Sequence, residues 1–168
     1  MTSSRKFLVF CLLAIAPALS AQKLEVSFRG YPSSWYNGFF EPALDGGGLA
    51  LTYFHSLSGN IRLGASAEYD LLLERNECYA GVGILWKFWE HNRFSAHAGA
   101  SVLNGINLFR PKVLYTGGAE ATGRLEFRLS ERTALSLTLG ARYTLSPAYK
   151  NYGVWRHNSW PVGIGISF

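Results

Sequence analysis

At 168 residues, 48% apolar and with a formal net charge of +5, the chain has material for one domain and hardly two. Its basic excess is small and scattered, which excludes an electrostatic nucleic-acid footprint. No apolar run beyond residue 21 approaches the roughly 20 residues of a membrane-spanning helix.

The first 21 residues form a unit of their own. Arg5 and Lys6 precede an unbroken apolar run from Phe7 to Ile15, and Ala16-Pro17-Ala18-Leu19-Ser20-Ala21 ends in small residues. This is the layout of a cleaved secretory signal, too short for a bilayer-spanning helix. Residues 1–21 are therefore expected to be a signal peptide and residues 22–168 one outer-membrane β-barrel domain. Export removes Cys11 and leaves Cys78, so no intrachain disulfide is expected.

From Lys23 onward apolar and polar residues alternate with period 2, the pattern of a strand with one face in each of two media. Leu24, Val26 and Phe28 share one face of a first strand, opposite Glu25, Ser27 and Arg29. Leu49, Leu51 and Tyr53 mark a second over residues 47–56. Ile61 to Leu71 form a third, with Arg62, Gly64, Ser66, Glu68 and Asp70 on its polar face. Val82, Ile84, Trp86 and Phe88 mark a fourth, opposite Gly81, Gly83 and Lys87. The fifth carries Phe94, Ala96, Ala98, Ala100 and Val102 against Ser95, His97, Gly99 and Ser101. The sixth spans residues 119–129, with Glu120, Thr122, Arg124, Glu126 and Arg128 on its polar side. Leu135 to Leu145 form the seventh, opposite Ser136, Thr138, Gly140, Arg142 and Thr144. Trp160, Val162, Ile164, Ile166 and Phe168 form the eighth.

Eight strands of about 9–12 residues match the length a tilted strand needs to cross a bilayer. Residues 56–60, 90–93 and 130–133 read as short polar turns. Residues 30–46, 104–117 and 146–157 read as long irregular loops, and 72–77 as intermediate. Short connections after even strands and longer ones after odd strands are what an even-stranded barrel requires. The expected fold is all-β: an eight-stranded antiparallel up-and-down transmembrane β-barrel following a cleaved signal peptide. A backbone group left unpaired in lipid costs several kcal/mol, and closing the sheet removes both edges at once. A soluble barrel with its apolar face inward is the rival. Large aromatics on the apolar face near strand ends, including Tyr69, Trp86, Phe94, Phe127 and Trp160, favour the membrane. The closing Phe168 looks like the aromatic signal read by barrel-assembly machinery.

By parity a charge network of Arg62, Glu68, Asp70, Lys87, His97, Glu120, Arg124, Glu126, Arg128 and Arg142 faces the lumen, joined by Glu25 and Arg29. Eight strands enclose only enough room for side chains, so these charges are expected to pair and plug the barrel rather than line an ion path. Ser95, His97 and Ser101, with Glu120 or Glu126 on the next strand, are the best candidates for a nucleophile, base and orienting acid in a lipid A-modifying barrel. They point away from lipid, and the expectation is no catalysis. His55, His91 and His157 lack metal-ligand spacing. Neither metal nor cofactor is expected. Aromatics with basic neighbours at Trp35, Tyr36, Phe39, Tyr149, Tyr152, Trp155 and Arg156 make the loops candidate partner-contact surfaces.

Three segments carry a family likeness: Ala98-Gly99-Ala100-Ser101-Val102-Leu103-Asn104-Gly105-Ile106-Asn107; the unit Gly118–Gly140 with Gly123-Arg124-Leu125-Glu126-Phe127 and the turn Leu129-Ser130-Glu131-Arg132; and the ending Val162-Gly163-Ile164-Gly165-Ile166-Ser167-Phe168. Together these resemble the TraO family of Bacteroidetes conjugative-transposon proteins, best over residues 94–168. The resemblance implies a non-enzymatic envelope component serving DNA transfer between cells, with no catalytic residues to carry over. Expected partners are outer-membrane lipid and other conjugation or envelope proteins, without direct nucleic-acid binding. A surface barrel of adhesion or stress type is the alternative.

Overall fold

The computed structural model describes residues 22–32, 34–36, 39–41, 46–72, 76–109, 112–145 and 156–168. The expected signal peptide lies outside them, as do Tyr149, Tyr152 and Trp155. Of Trp35, Tyr36, Phe39 and Arg156 only the backbone is described.

Every described element is a strand. They are β1 (Gln22–Tyr31), β2 (Ser34–Tyr36), β3 (Phe39–Glu41), β4 (Gly46–Ser56), β5 (Ile61–Leu72), β6 (Asn76–His91), β7 (Phe94–Phe109), β8 (Lys112–Arg128), β9 (Ala134–Leu145), β10 (Arg156–Ser159) and β11 (Val162–Ser167). All pair antiparallel, in the order β11-β1-β4-β5-β6-β7-β8-β9-β10-β2-β3, and β11 also pairs with β9. The sheet therefore closes, with Val26 opposite Ile166 on one side of β11 and Ile164 opposite Leu137 on the other. Strands β10 and β11 keep one register against β9, interrupted at Trp160-Pro161, where proline has no N–H to give the ladder. They act as one stave, and the expected eight-stranded antiparallel barrel is borne out.

The registers also fix the barrel's dimensions. A row followed from Glu68 through Tyr79 and Gly105 reaches β8 at Thr116. The same row followed the other way, through Ala50, Ser27, Gly165 and Ser136, reaches β8 at Glu126. The two arrivals are ten residues apart along β8, which tilts eight strands by about 40° and leaves a bore that side chains fill.

The outer wall is apolar. Phe28, Val82, Val102, Leu125, Leu139 and Ile164 are each more than half exposed, while Glu25, Glu68, Asp70, Glu120 and Arg142 are buried. A soluble protein of this size would not expose so continuous an apolar surface.

Several boundaries differ from the sequence reading. Residues 104–117, expected as a loop, continue the alternation almost throughout: β7 runs to Phe109 and β8 begins at Lys112. The glycines there serve close strand packing, since a Cβ on Gly105 would lie 2.0 Å from the Cys78 carbonyl oxygen and one on Gly118 2.2 Å from that of Tyr143. Strand β5 likewise reaches Leu72 and β6 starts at Asn76, so the long-loop pattern does not hold after every odd strand. Residues 30–46 are not wholly irregular, because β2 and β3 form a short hairpin beside β10. The last stave starts at Arg156 rather than near Ser159. Finally, β6 extends to His91 through a bulge between Lys87 and Trp89, and only Asn92-Arg93 turn. Asn92 takes the positive φ (53°) that asparagine tolerates well.

Candidate functional site

The lumen is built in layers by the alternation of each strand. Nearest the short turns, Arg124 on β8 donates from Nη1 to Glu25 Oε1 on β1 at 2.7 Å and from Nε to Glu126 Oε1 at 2.9 Å. Its Nη2 also meets Glu25 Oε2. Arg62 on β5 reaches across the bore to Glu126 Oε1 at 2.8 Å, and the Ser136 hydroxyl donates to Glu25 Oε2 at 3.1 Å. The Arg124 guanidinium lies 5.2 Å from the Phe54 ring centroid. Two carboxylates and two guanidiniums thus tie β1, β5 and β8 together.

A second ionic layer lies nearer the long-loop end and centres on Arg142 of β9. It donates from Nε to Glu120 Oε2 at 2.6 Å, from Nη2 to Glu68 Oε1 at 2.6 Å, and from Nη1 to Asp70 Oδ2 at 3.2 Å and to the Tyr31 hydroxyl oxygen at 3.0 Å. That hydroxyl lies 2.6 Å from Asp70 Oδ2 and 2.9 Å from Glu68 Oε1, and has one proton to give them. Arg29 completes the layer, bound to both oxygens of Glu120 at 3.0–3.1 Å and 3.3 Å from Glu68 Oε2. Tyr79 stacks beneath the Arg142 guanidinium at 5.2 Å. Above it, Glu77 accepts from the Tyr79 hydroxyl at 2.9 Å and from Asn107 Nδ2 at 2.7 Å.

Between the layers the wall carries small polar residues. Ser27, Thr52, Ser66, Ser101, Thr122 and Thr138, with Phe54, Leu85 and Pro161, line a cavity of about 90 Å³ of mixed polar and apolar character, large enough for ordered water. Glycine opposite a hydroxyl recurs here, as with Ser66 and Gly81, or Ser101 and Gly83, and gives the hydroxyls their space.

Of the charged residues singled out in the sequence, Arg62, Glu68, Asp70, His97, Glu120, Arg124, Glu126 and Arg142 point into these layers. Lys87 and Arg128 do not join them. Both meet Glu90 at the short-turn rim, where Arg128 Nη2 lies 2.6 Å from Glu90 Oε1 and the Arg128 side chain is 50% exposed. The bulge explains this, because the extra residue at Phe88 shifts parity and turns Glu90 inward opposite Ser95. The sequence reading also missed Tyr31, Glu77, Tyr79 and Asn107. Each extends a polar face already recognised, and continuing the alternation past the glycines would have found them.

Ser95, His97 and Glu126 do come together. The Ser95 hydroxyl is 2.9 Å from His97 Nε2, and Glu126 Oε2 is 3.5 Å from the same nitrogen. A catalytic relay instead needs the acid on the opposite ring nitrogen, and Nδ1 here has no partner. Glu120, the other candidate acid, is taken up by Arg29 and Arg142. Among the described residues no group of three or more His, Cys, Asp or Glu is placed to hold a metal ion.

A closed eight-stranded barrel, greasy outside and ionic within, defines the class. No family model and no curated protein matches the chain. Among solved structures it is similar to Neisserial surface protein A, with a TM-score of 0.69 and 9% identity over 88% of this chain and 96% of that one. It is also similar to the N-terminal β-barrel domain of Pseudomonas aeruginosa OprF (TM-score 0.57, 12% identity, 87% and 97% covered) and to the outer membrane protein OprG of the same organism (TM-score 0.55, 10% identity, 88% and 94% covered). At such identities the likeness is one of fold.

Proposed function

We propose that the chain is a non-enzymatic β-barrel of a Gram-negative outer membrane, an envelope component of a conjugative DNA-transfer apparatus that acts by scaffolding and loop contact. The observation that carries the membrane part is the outward display of leucine, valine, isoleucine and aromatic side chains around a sheet whose ionised groups are paired inside. Hydrocarbon is the medium that makes this arrangement favourable, and complete pairing of the wall is what hydrocarbon demands. The non-enzymatic part is supported by the geometry at His97 and by its burial in the lumen. The conjugative part rests on the resemblance of residues 94–168 to the TraO family.

The test is genetic and quantitative. Deleting the gene from a donor strain should lower transfer frequency, and the wild-type copy should restore it while the protein fractionates with the outer membrane. Unchanged transfer from a deletion donor would remove the conjugative role. The alternative, a surface barrel of adhesion type, is favoured by the β2–β3 hairpin raised at the long-loop end and by the similarity to a protein named for its surface location. Loss of cell attachment with normal transfer would select it.

A further inference from the structure

The short-turn rim differs from one side of the barrel to the other. On the side of β1, β4 and β5 it presents Leu24, Ile61 and Leu63 with two aromatics beside Leu24, Tyr53 and Phe168, and the connecting turn Leu57-Ser58-Gly59-Asn60 has no charge. On the side of β6, β7 and β8 it presents five large aromatics, Trp86, Phe88, Trp89, Phe94 and Phe127. The first four are each about half exposed. The bulge is the device that crowds them, since it sets Phe88 and Trp89 outward in succession where a regular strand would alternate. Phe94 and Phe127 add a tilted pair with centroids 4.8 Å apart.

Cations collect on the same side. Lys87 and Arg128 hold Glu90 between them, which leaves Arg93 and Arg132 in the two adjacent turns, both exposed. Glu131 is the acid left beside them. The turns are ordered: Arg128 N donates to the Arg93 carbonyl at 2.8 Å, and Ser130 Oγ accepts from Thr133 N at 3.0 Å. An interfacial girdle alone would not crowd five of its aromatics onto three adjacent strands. Basic groups bordering so dense an aromatic platform match a molecule with an anionic head and an apolar body.

We propose that this side of the rim is a binding site for an anionic phospholipid, its phosphate bridging Arg93 and Arg132 and its glycerol and upper acyl chain lying on Phe88, Trp89, Phe94 and Phe127. The proposal rests on the membrane reading above. A basic residue near a bilayer surface favours anionic lipid enough that two of them enrich it locally on the order of ten-fold over the bulk.

The experiment uses the full chain with Trp35→Phe, Trp155→Phe and Trp160→Phe, so that Trp86 and Trp89 report on this side alone. It is reconstituted in phosphatidylcholine vesicles carrying a minor fraction of brominated phosphatidylglycerol or, separately, of brominated phosphatidylcholine. Brominated phosphatidylglycerol should quench the more strongly, and the excess should vanish on adding Arg93→Gln with Arg132→Gln and fall steeply with salt. Arg93→Lys with Arg132→Lys should retain it. Equal quenching by the two lipids overturns the site while leaving the barrel in its bilayer. Absence of quenching even in vesicles made wholly of brominated phosphatidylcholine instead overturns the membrane reading itself.

Discussion

Arg142 is the residue on which most of the interior converges: one guanidinium serves Glu68, Asp70, Glu120 and the Tyr31 hydroxyl, on three other strands. Truncating it leaves buried Asp70 without a guanidinium and Glu68 and Glu120 with Arg29 alone, and breaking such a buried pair costs about 3–5 kcal/mol. Arg142→Ala should therefore lower the unfolding free energy of the reconstituted barrel, measured by urea titration, by an amount in that range. Arg128→Ala, which removes a half-exposed rim pair, should cost under about 1 kcal/mol. Similar losses for the two would show that the central layer does not hold the barrel together. Which residues face the lumen was legible in the sequence from parity alone, as Glu68, Arg124 and Arg142 show. Which partners they choose was not, because Arg62 meets Glu126 and Arg124 meets Glu25 across the bore, and such pairings depend on stagger between staves.

The strands were legible where polar and apolar residues alternate without a break, as in β5 and β9. Their ends were misread where glycine interrupts the pattern. Gly105, Gly117 and Gly118 look like loop residues in a linear string, yet Gly105 and Gly118 stand where a neighbouring carbonyl leaves no space for a side chain. The bulge at Phe88 was likewise invisible, because the outward run Trp86-Phe88 looks regular until Trp89 repeats the direction. For β9 the inside–outside assignment makes a sharp prediction. Leu137→Arg, placed mid-strand on the outer wall, should destabilise the protein in a bilayer by about 2–4 kcal/mol. Thr138→Ser on the opposite face should be nearly silent. Equal effects in the same unfolding assay would reverse the two faces.

For the molecule as a whole, the stagger of ten residues sets tilt, bore and height together. The rung of Ile61 and Trp86 and that of Tyr69 and Cys78 are eight residue steps apart along the strand, so the two aromatic levels stand about 20 Å apart along the axis, close to the apolar band of such barrels. The outer wall should therefore require an amphiphile. Refolding from urea is expected in detergent micelles or vesicles, giving a form that migrates faster before boiling than after, and aggregation is expected in buffer alone. A soluble, folded monomer without amphiphile would show that the greasy wall has another purpose.

The seam between β1 and β11 joins residues 25–30 to residues 162–167. Such long-range contacts are entropically expensive and late to form, so the growing chain can pair β1 with β4 but cannot cover the other edge of β1 until nearly all the rest has been made. Until then every edge is sticky and every leucine is in water, the state in which chains of this kind aggregate. Whatever carries this polypeptide to its bilayer must hold it unfolded for the whole journey, and the lipid must admit a nearly complete cylinder rather than strands one at a time.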